Sequence, residues 1–220
     1  MNRRTLMLGA SALGLAAFAG GAVYVTRQRS AEAEAAAATE PPADSALLIR
    51  PHSPVLGPAD AKVTLVEFFD PSCEACRAFH PVLKQIREAF PNDVRIVLRY
   101  TTFHEGSDEA VRILEAARRQ DLFEPVLDAL LEEQPGWAVH GEPALDIAWE
   151  IAEGAGMDID QGQTDRLFPG MTAVLKQDAA DVKALGISQT PTFFLNGRKL
   201  VNLSLDSLMT EVRVAATGAP

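Results

Sequence analysis

The sequence VTLVEFFDPSCEACRAFHP, residues 63–81, contains both cysteines of the 220-residue chain. Its first seven residues are mostly apolar or β-branched, which is typical of a buried strand. The Asp-Pro-Ser tripeptide interrupts this run, and apolar residues then recur at a helical spacing, at positions 76, 79, 83, 86 and 90. We therefore expect Cys73 to lie where a strand passes into a helix, with Cys76 one turn inside that helix.

This placement would make Cys73 reactive. A helix N-terminus offers unpaired backbone N–H groups and the positive end of the helix dipole. A thiolate there is stabilised, so its pKa falls from about 8.5 into a range of roughly 3.5–7.5. Because the thiolate is the attacking species in disulfide exchange, we predict that Cys73 is an exposed nucleophile. Cys76, three residues later, is predicted to be the buried resolving thiol.

The segment resembles the active site of thioredoxin-fold disulfide oxidoreductases, and most closely that of the DsbA-like periplasmic group. The family has an acid six positions before the first cysteine, here Glu67, and a helix proline five positions after the second, here Pro81. Its Thr-cis-Pro and edge hairpin match TPTFFLNGRKL at residues 190–200. The resemblance covers roughly residues 50–216 and implies an α/β, thioredoxin-like fold with an inserted helical subdomain.

The resemblance also implies roles for residues near the cysteines. Apolar neighbours surround Glu67 in the sequence, and burial would raise the pKa of its carboxyl group. The resemblance assigns Glu67 the relay of a proton to or from Cys76. A cis peptide bond before Pro191 would expose the Thr190 backbone, so that an extended substrate could pair with it.

The dipeptide between the cysteines, Glu74-Ala75, is expected to tune the redox properties of the site. A carboxylate beside Cys73 repels the thiolate and should raise its pKa, in opposition to the helix terminus. We therefore expect a milder oxidant than a family member with histidine between the cysteines.

The N-terminal region suggests export from the cytoplasm. Arg3 and Arg4 precede an apolar run over residues 6–25, which is about 30 Å long as a helix and could cross a bilayer. Residues 1–30 are therefore predicted to be a signal peptide or a membrane anchor. Either would place the protein in the periplasm or cell envelope, where disulfides persist. Residues 31–50 are predicted to form an Ala/Glu/Pro-rich tether, and residues 31–45 within this segment to be a tether or a short frayed helix.

Residues 51–220 are predicted to form the thioredoxin-like domain, with the helical insertion at about 105–185. Val94–Tyr100 has the composition of a second strand. Thr192–Leu195 is predicted to be a third, followed by an Asn-Gly hairpin turn and a returning strand over 198–203.

Within the insertion, Ser107 and Asp121 are candidate N-caps of two helices. Gly186 is the candidate glycine that follows the last one. Both tryptophans of the chain, Trp137 and Trp149, lie in this region and are predicted to pack in its core.

The composition and the motifs that are absent argue against some classes of function. The chain carries 30 acidic against 20 basic residues, a net charge of −10, which argues against nucleic-acid binding. No nicotinamide or flavin fingerprint occurs, so the expected cofactor is the Cys73–Cys76 disulfide itself.

The sequence predicts a cell-envelope enzyme that oxidises cysteines of substrate proteins by thiol-disulfide interchange. The resemblance implies reoxidation by a quinone-linked membrane partner. One alternative is a reductase or isomerase of the same fold, kept reduced by a membrane electron donor. Another is a metal-binding protein that uses Cys73, Cys76 and His80, but a zinc site would need further soft ligands, so we expect no metal.

Overall fold

A five-stranded mixed sheet lies at the centre of the computed structural model, which describes residues 43–218. The two long central strands, β2 and β3, run parallel, with Val63 opposite Val94 and Phe69 opposite Tyr100. The other pairs are antiparallel, and the strand order is β1-β3-β2-β4-β5. The strands are β1 Val55–Leu56, β2 Val63–Phe69, β3 Val94–Tyr100, β4 Thr192–Leu195 and β5 Arg198–Lys199.

The predicted bounds of β2, β3 and β4 are confirmed, but β5 is shorter than predicted. It ends at Lys199 rather than at residue 203. Asn196 and Gly197 both have positive φ, as a two-residue hairpin turn requires. Asn202 also has a positive φ, of 54°, so the chain turns away from the sheet there instead of continuing along β4.

Nine helices are found among residues 43–218, and six of them, α3 to α8, form an insertion between β3 and β4. Trp137 and Trp149 are both buried in this insertion, as predicted. Together with the sheet, this arrangement confirms the thioredoxin-like fold with a helical insert. The helices are α1 Ser45–Leu48, α2 Glu74–Ala89, α3 Ser107–Arg119, α4 Phe123–Glu132, α5 Gln134–Trp137, α6 Leu145–Gly154, α7 Ile159–Asp165, α8 Pro169–Ala184 and α9 Leu205–Thr217.

Helices cover both faces of the central sheet. Side chains of successive strand residues point to opposite faces, and the two sets belong to two separate hydrophobic clusters. The first contains Leu65 of β2 with residues of α2 and α9, and the second contains Val66 of β2 with residues of α1 and α8. Burial on both faces explains why β2 is almost continuously apolar.

The two predicted N-caps of the insertion were wrong. Ser107 is the first residue of α3, and Gly106 occupies the cap position with a φ of 80°. A Cβ at Gly106 would lie 2.8 Å from Pro143, so the position needs glycine. The cap of α4 is Leu122, whereas Asp121 adopts a left-handed conformation just before it. Gly186 has a positive φ after α8, as predicted.

Of the predicted tether over residues 31–50, the structure describes residues 43–50. There the chain forms α1, and Leu48 is 2% exposed in the hydrophobic cluster of the second sheet face. Arg50 then pairs with Asp181 of α8 at 2.6 Å. Residues 1–30, where a signal peptide or anchor was predicted, lie outside the described residues. Among residues 43–218, no helix is both long and apolar enough to cross a membrane.

Candidate active site

Cys73 lies at the start of α2, as predicted. It is the N-cap residue, with an extended backbone, and the helix begins at Glu74. Cys76 lies inside the first turn, and both cysteines are free thiols. The turn before the helix is closed by a hydrogen bond from the Cys73 N–H to the Asp70 carbonyl oxygen, at 3.0 Å.

Cys73 is less exposed than the sequence suggested. Its exposed fraction is 6%, against 2% for Cys76, because the loop before β4 packs over it. Sγ of Cys73 lies 3.4 Å from the Thr190 carbonyl oxygen. The Thr190–Pro191 peptide bond is cis, as the resemblance implied. The structure thus brings the predicted substrate-binding residues into contact with the predicted nucleophile.

The two thiols have opposite acidities. The pKa of Cys73 is lowered to about 5, first by a hydrogen bond from the Cys76 thiol and then by Thr190 and the backbone N–H groups of Cys76 and Ala75, although burial opposes the shift. The pKa of Cys76 is raised far above its usual value by burial and by its hydrogen bond with Cys73. At neutral pH, Cys73 is therefore a thiolate and Cys76 a protonated thiol. Ala75 contributes through its backbone.

We expect thiolate absorbance near 240 nm of the reduced protein to show a step with a midpoint near pH 5, set by Cys73. This folded-state pKa lies below that of an unfolded cysteine, which is about 8.5. The thiolate therefore stabilises the folded reduced protein, and this stabilisation is fully present above about pH 8.5. The contribution is lost as the pH falls through about 5. The Cys73→Ser variant should lack the step. A midpoint near 8.5 in the wild-type protein would contradict this expectation.

Glu67 lies in the middle of β2, between Leu98 of β3 and Phe193 of β4. Only 3% of it is exposed. Burial raises the pKa of Glu67 to about 8, and the charge on Cys73 adds to the effect. The acid therefore has the burial and the raised pKa expected of it, and its proton-relay role stays a prediction.

Glu74 has a partner that the sequence did not predict. His140, in the insertion, lies with its Nε2 3.0 Å from Glu74 Oε1, and this contact lowers the pKa of Glu74. Both side chains are exposed. A protonated His140 would offset the repulsion between Glu74 and the Cys73 thiolate, and the expected tuning by Glu74 stays a prediction.

Asp70, which sequence reasoning missed, organises the loops around the cysteines. It is fully buried, and its carboxylate accepts from the backbone N–H groups of Ser72, Phe103 and His104 at 2.9, 2.7 and 3.1 Å. The hydroxyl of Ser107 donates to it as well, which is why Ser107 does not cap α3. An aspartate directly after a strand and before Pro-Ser was the available signal, since such residues bond to the backbone of turns.

His104 and Gln134 were also missed. His104 Nδ1 lies 3.0 Å from Asp70 Oδ2, at ion-pair distance. Burial alone would lower the pKa of His104, but Asp70 and the nearby negative charges raise it overall. Gln134 of α5 is 1% exposed, and its Nε2 donates to the carbonyl oxygens of Pro71 and Cys73 at 2.7 and 3.1 Å. The insertion therefore holds the active-site turn directly.

Comparison with known proteins identifies the family. A family model described as thioredoxin matches residues 50–212. The chain belongs to the thioredoxin family. A solved thioredoxin-like oxidoreductase from Silicibacter pomeroyi DSS-3 is 32% identical, with a TM-score of 0.68, and the match covers 81% of this chain and all of that one.

Two further solved structures place this member of the thioredoxin family in the DsbA-like group by fold. BdbD from Bacillus subtilis is 24% identical with a TM-score of 0.67, over 76% of this chain and 94% of that one. Wolbachia pipientis alpha-DsbA1 is 19% identical with a TM-score of 0.64, over 77% of this chain and 97% of that one. The fold is thus that of DsbA-like thiol-disulfide oxidoreductases.

The curated relatives of this thioredoxin-family chain are longer proteins. The Na(+)/H(+) antiporter NhaA of Herminiimonas arsenicoxydans is 33% identical over 161 residues, which are 73% of this chain and 24% of the antiporter. NhaA 3 of Salinispora tropica is 34% identical over 151 residues, or 66% and 22% of the two chains. The chain spans about a quarter of the length of these relatives.

The metal-binding alternative for this thioredoxin-family site would use His80 together with the two cysteines. His80, the proposed third ligand, lies with its Nε2 2.7 Å from Asp128 Oδ1. Within the described part of the chain, no three histidine, cysteine, aspartate or glutamate side chains are arranged to hold a metal ion.

Proposed function

We propose that this chain is a thiol-disulfide oxidoreductase that oxidises pairs of cysteines in substrate proteins, with the Cys73–Cys76 disulfide as its redox group. The observation that carries the proposal is the arrangement of the two thiols. Cys73 lies at the start of α2 against Thr190, and Cys76 lies buried one turn further on. One sulfur is therefore placed to meet a substrate, and the other is shielded from it.

The proposed reaction consists of two exchanges. A substrate thiolate attacks Sγ of Cys73, the enzyme disulfide breaks, and its electron pair leaves on Sγ of Cys76, which takes up a proton. A second substrate thiolate then attacks the substrate sulfur of the mixed disulfide and displaces Cys73 as a thiolate. The substrate loses two electrons and two thiol protons, of which one ends on Cys76 and the other in solvent. In the reverse direction, Cys76 resolves the mixed disulfide.

The acidity of Cys73 favours the oxidising direction. A leaving thiolate with a low pKa is expelled faster, and its stabilisation in the reduced enzyme raises the reduction potential. The pKa of Cys73 is about 5, so it is fully ionised at pH 7. A reductase would gain less from such a stable thiolate.

The proposal includes a location and a partner. Among proteins of similar fold is one described as a periplasmic thioredoxin-like protein from Salmonella enterica serovar Typhimurium. We place the present chain in the periplasm or cell envelope, attached to the membrane through residues 6–25 where that segment is retained. The reduced enzyme would pass its electrons to a quinone-linked membrane oxidase.

The reduction potential of the cysteine pair tests the direction of the reaction. Thioredoxin and DsbA have nucleophile pKa values near 7 and 3.5 and potentials of roughly −270 and −120 mV. Interpolation to a pKa of about 5 gives an expected potential of about −180 mV. Equilibration with glutathione buffers, followed by alkylation and mass measurement, gives this value. A potential at or below about −270 mV would support the reductase alternative instead.

A further inference from the structure

Two acid–histidine pairs flank the nucleophilic cysteine. His104, in the loop after β3, has its Nδ1 3.0 Å from Oδ2 of Asp70, which precedes Cys73 in the turn before α2. His140, in the insertion, has its Nε2 3.0 Å from Oε1 of Glu74, the residue directly after Cys73. The centroids of the two imidazole rings are 6.0 Å apart. Each of these acids is therefore accompanied by a histidine, and we call the two contacts the flanking pairs.

The Asp70–His104 pair is linked directly to both cysteines. The Asp70 carbonyl oxygen accepts from the Cys73 N–H at 3.0 Å, and the Asp70 N–H donates to Sγ of Cys76 at 3.5 Å. The Asp70 side chain is fully buried, whereas 29% of the His104 side chain is exposed. Charges interact more strongly where water is excluded. A proton on His104 can therefore act on the cysteine pair, and solvent can still supply that proton.

The Glu74–His140 pair is more exposed than the Asp70–His104 pair. The accessible fractions of the Glu74 and His140 side chains are 62% and 68%, so water and salt weaken the effect of this pair on Cys73. Glu74 is nevertheless the first residue of α2, directly after the nucleophile. Its contact with His140 lowers the pKa of Glu74. We therefore expect the larger electrostatic effect on Cys73 from His104 and the smaller one from His140.

The charge around the two histidines changes with the redox state of the enzyme. Reduction adds the Cys73 thiolate to two acids that are already present, Asp70 and Glu74. Burial lowers the pKa of His104, but its contact with Asp70 and the charges of Asp70, Cys73 and Glu74 raise the value overall. The acids closest to the two histidines in the sequence are exposed to solvent, namely Glu105, Asp108 and Glu142. The thiolate is thus the charge near His104 that appears on reduction and disappears on oxidation.

We propose that the flanking pairs bind additional proton when the enzyme disulfide is reduced and release it when the disulfide forms again. The inference rests on the proposed function and adds a proton-binding site to it. As the substrate loses two electrons, Sγ of Cys76 takes one proton and Sγ of Cys73 keeps its negative charge. The histidines then retain, on average, a fraction of the second substrate proton, which would otherwise go to solvent. No electron moves onto the histidines, and the reduced enzyme is favoured as the pH falls.

This coupling changes how the equilibrium with glutathione depends on pH. If only Cys76 takes up a proton, reduction of the enzyme by two glutathione molecules releases one proton, and the equilibrium constant rises about tenfold per pH unit. From about pH 6.0 to 7.5, above the pKa of Cys73 and below that of an ordinary thiol, the rise would then be about 30-fold. Protons retained by the histidines reduce the number released. We expect a rise of only about tenfold in the wild-type protein, for a His104 titration that the thiolate shifts by about half a unit to one unit.

The chain offers a matched set of variants for the test. His104→Gln, His140→Gln and the double variant remove the titrating groups and keep side chains that form hydrogen bonds. His52→Gln is the control, because His52 also lies beside a buried aspartate, with its Nε2 2.7 Å from Oδ1 of Asp178 on α8. The full-length proteins are equilibrated with glutathione buffers at low salt, and the oxidised fraction is measured by alkylation and mass. In addition, the imidazole C–H signals are titrated by NMR in protein that small-molecule reagents have reduced or oxidised.

The pH dependence should distinguish the variants from the control. We expect the double variant to show the rise of about 30-fold that the cysteines alone produce, and His104→Gln to show an intermediate rise. His52→Gln should show the wild-type rise of about tenfold. The His104 signal should titrate about half a unit to one unit higher in the reduced protein than in the oxidised protein.

The outcomes separate the proton coupling from the proposed function. Equal His104 titrations in the two redox states, or a wild-type rise of about 30-fold, would overturn the coupling and leave the oxidoreductase function standing. A double variant that differs from wild type by the same factor at every pH would also overturn it, because the effect would then be structural. If the wild-type protein exchanges no disulfide with glutathione, the proposed function itself fails, while the two NMR titrations still test proton binding.

Discussion

Replacing Cys76 by serine is expected to trap the protein as a stable disulfide-linked adduct through Cys73. When the reduced variant meets a peptide disulfide, the Cys73 thiolate attacks it and forms a mixed disulfide. The wild-type protein resolves this species by attack of Cys76, and serine cannot perform that attack at neutral pH. The adduct should accumulate to nearly one per protein and should be identified by mass spectrometry of a tryptic digest under non-reducing conditions.

The Cys73→Ser variant is the matched control for this experiment. It retains Cys76, which is 2% exposed and whose pKa is raised by burial, so it should form almost no adduct. Turnover with a dithiol peptide should fall by a factor on the order of 10³ or more in both variants, as for loss of a covalent catalyst. An adduct that forms through Cys76 in Cys73→Ser at a rate similar to that of Cys73 in Cys76→Ser would reverse the assigned roles.

Secondary structure was most predictable where the sheet is covered on both faces. β2 and β3 are almost continuously buried, so an uninterrupted apolar run marks their full length. Turn residues mark their ends, with Asp70 directly after β2. The Asn-Gly dipeptide after β4 predicted the hairpin, because its preference for a turn conformation depends only on these two residues. Length was less predictable in β5, whose two residues are only partly buried.

Helix caps were less predictable, because a distant partner can compete for the capping side chain. Ser107 has the composition of an N-cap, but its hydroxyl bonds to Asp70 and Ser72, more than 30 positions earlier in the chain. No pattern in the neighbouring sequence indicates such a long-range contact. The packing of residues 43–50 escaped prediction similarly, because its short α1 is held by contacts with the sheet and with α8.

The residues of the candidate site were likewise predictable only where they belong to short sequence motifs. Cys73, Cys76, Glu67 and the Thr190–Pro191 pair were identified from spacing within short motifs and from the resemblance those motifs carry. Their partners in the insertion were not, because His140 lies 66 positions from Glu74 and Gln134 lies 61 positions from Cys73. The burial of Cys73 under the Thr190 loop is likewise a long-range contact. Motif spacing thus predicted the reacting groups and not the groups that hold them in place.

Replacing Asp178 by alanine is expected to have the largest effect on stability. Asp178 of α8 is buried with Arg99 of β3, which is fully buried and lies 2.7 Å from its Oδ1. The other carboxylate oxygen accepts from the Tyr100 N–H at 2.8 Å, and His52 Nε2 lies 2.7 Å from Oδ1. Removing one partner of a buried ion pair typically costs about 3–5 kcal/mol. For a protein of this size, that corresponds to a fall in Tm of about 10 °C.

The cost comes from the groups that the substitution leaves behind. Arg99 would keep Asp181 at 2.6 Å but lose its contacts with Asp178, while the Tyr100 N–H would lose its acceptor in a buried site. Urea unfolding measures the difference in free energy of unfolding between Asp178→Ala and a control variant, Asp206→Ala. Asp206 is an exposed residue in the first turn of α9. The control should lose no more than about 1 kcal/mol, the usual value of a helix-dipole contact. If the free energy of unfolding fell as little for Asp178→Ala as for the control, the buried ion pair of Asp178 with Arg99 would not stabilise the packing of α8 on the sheet.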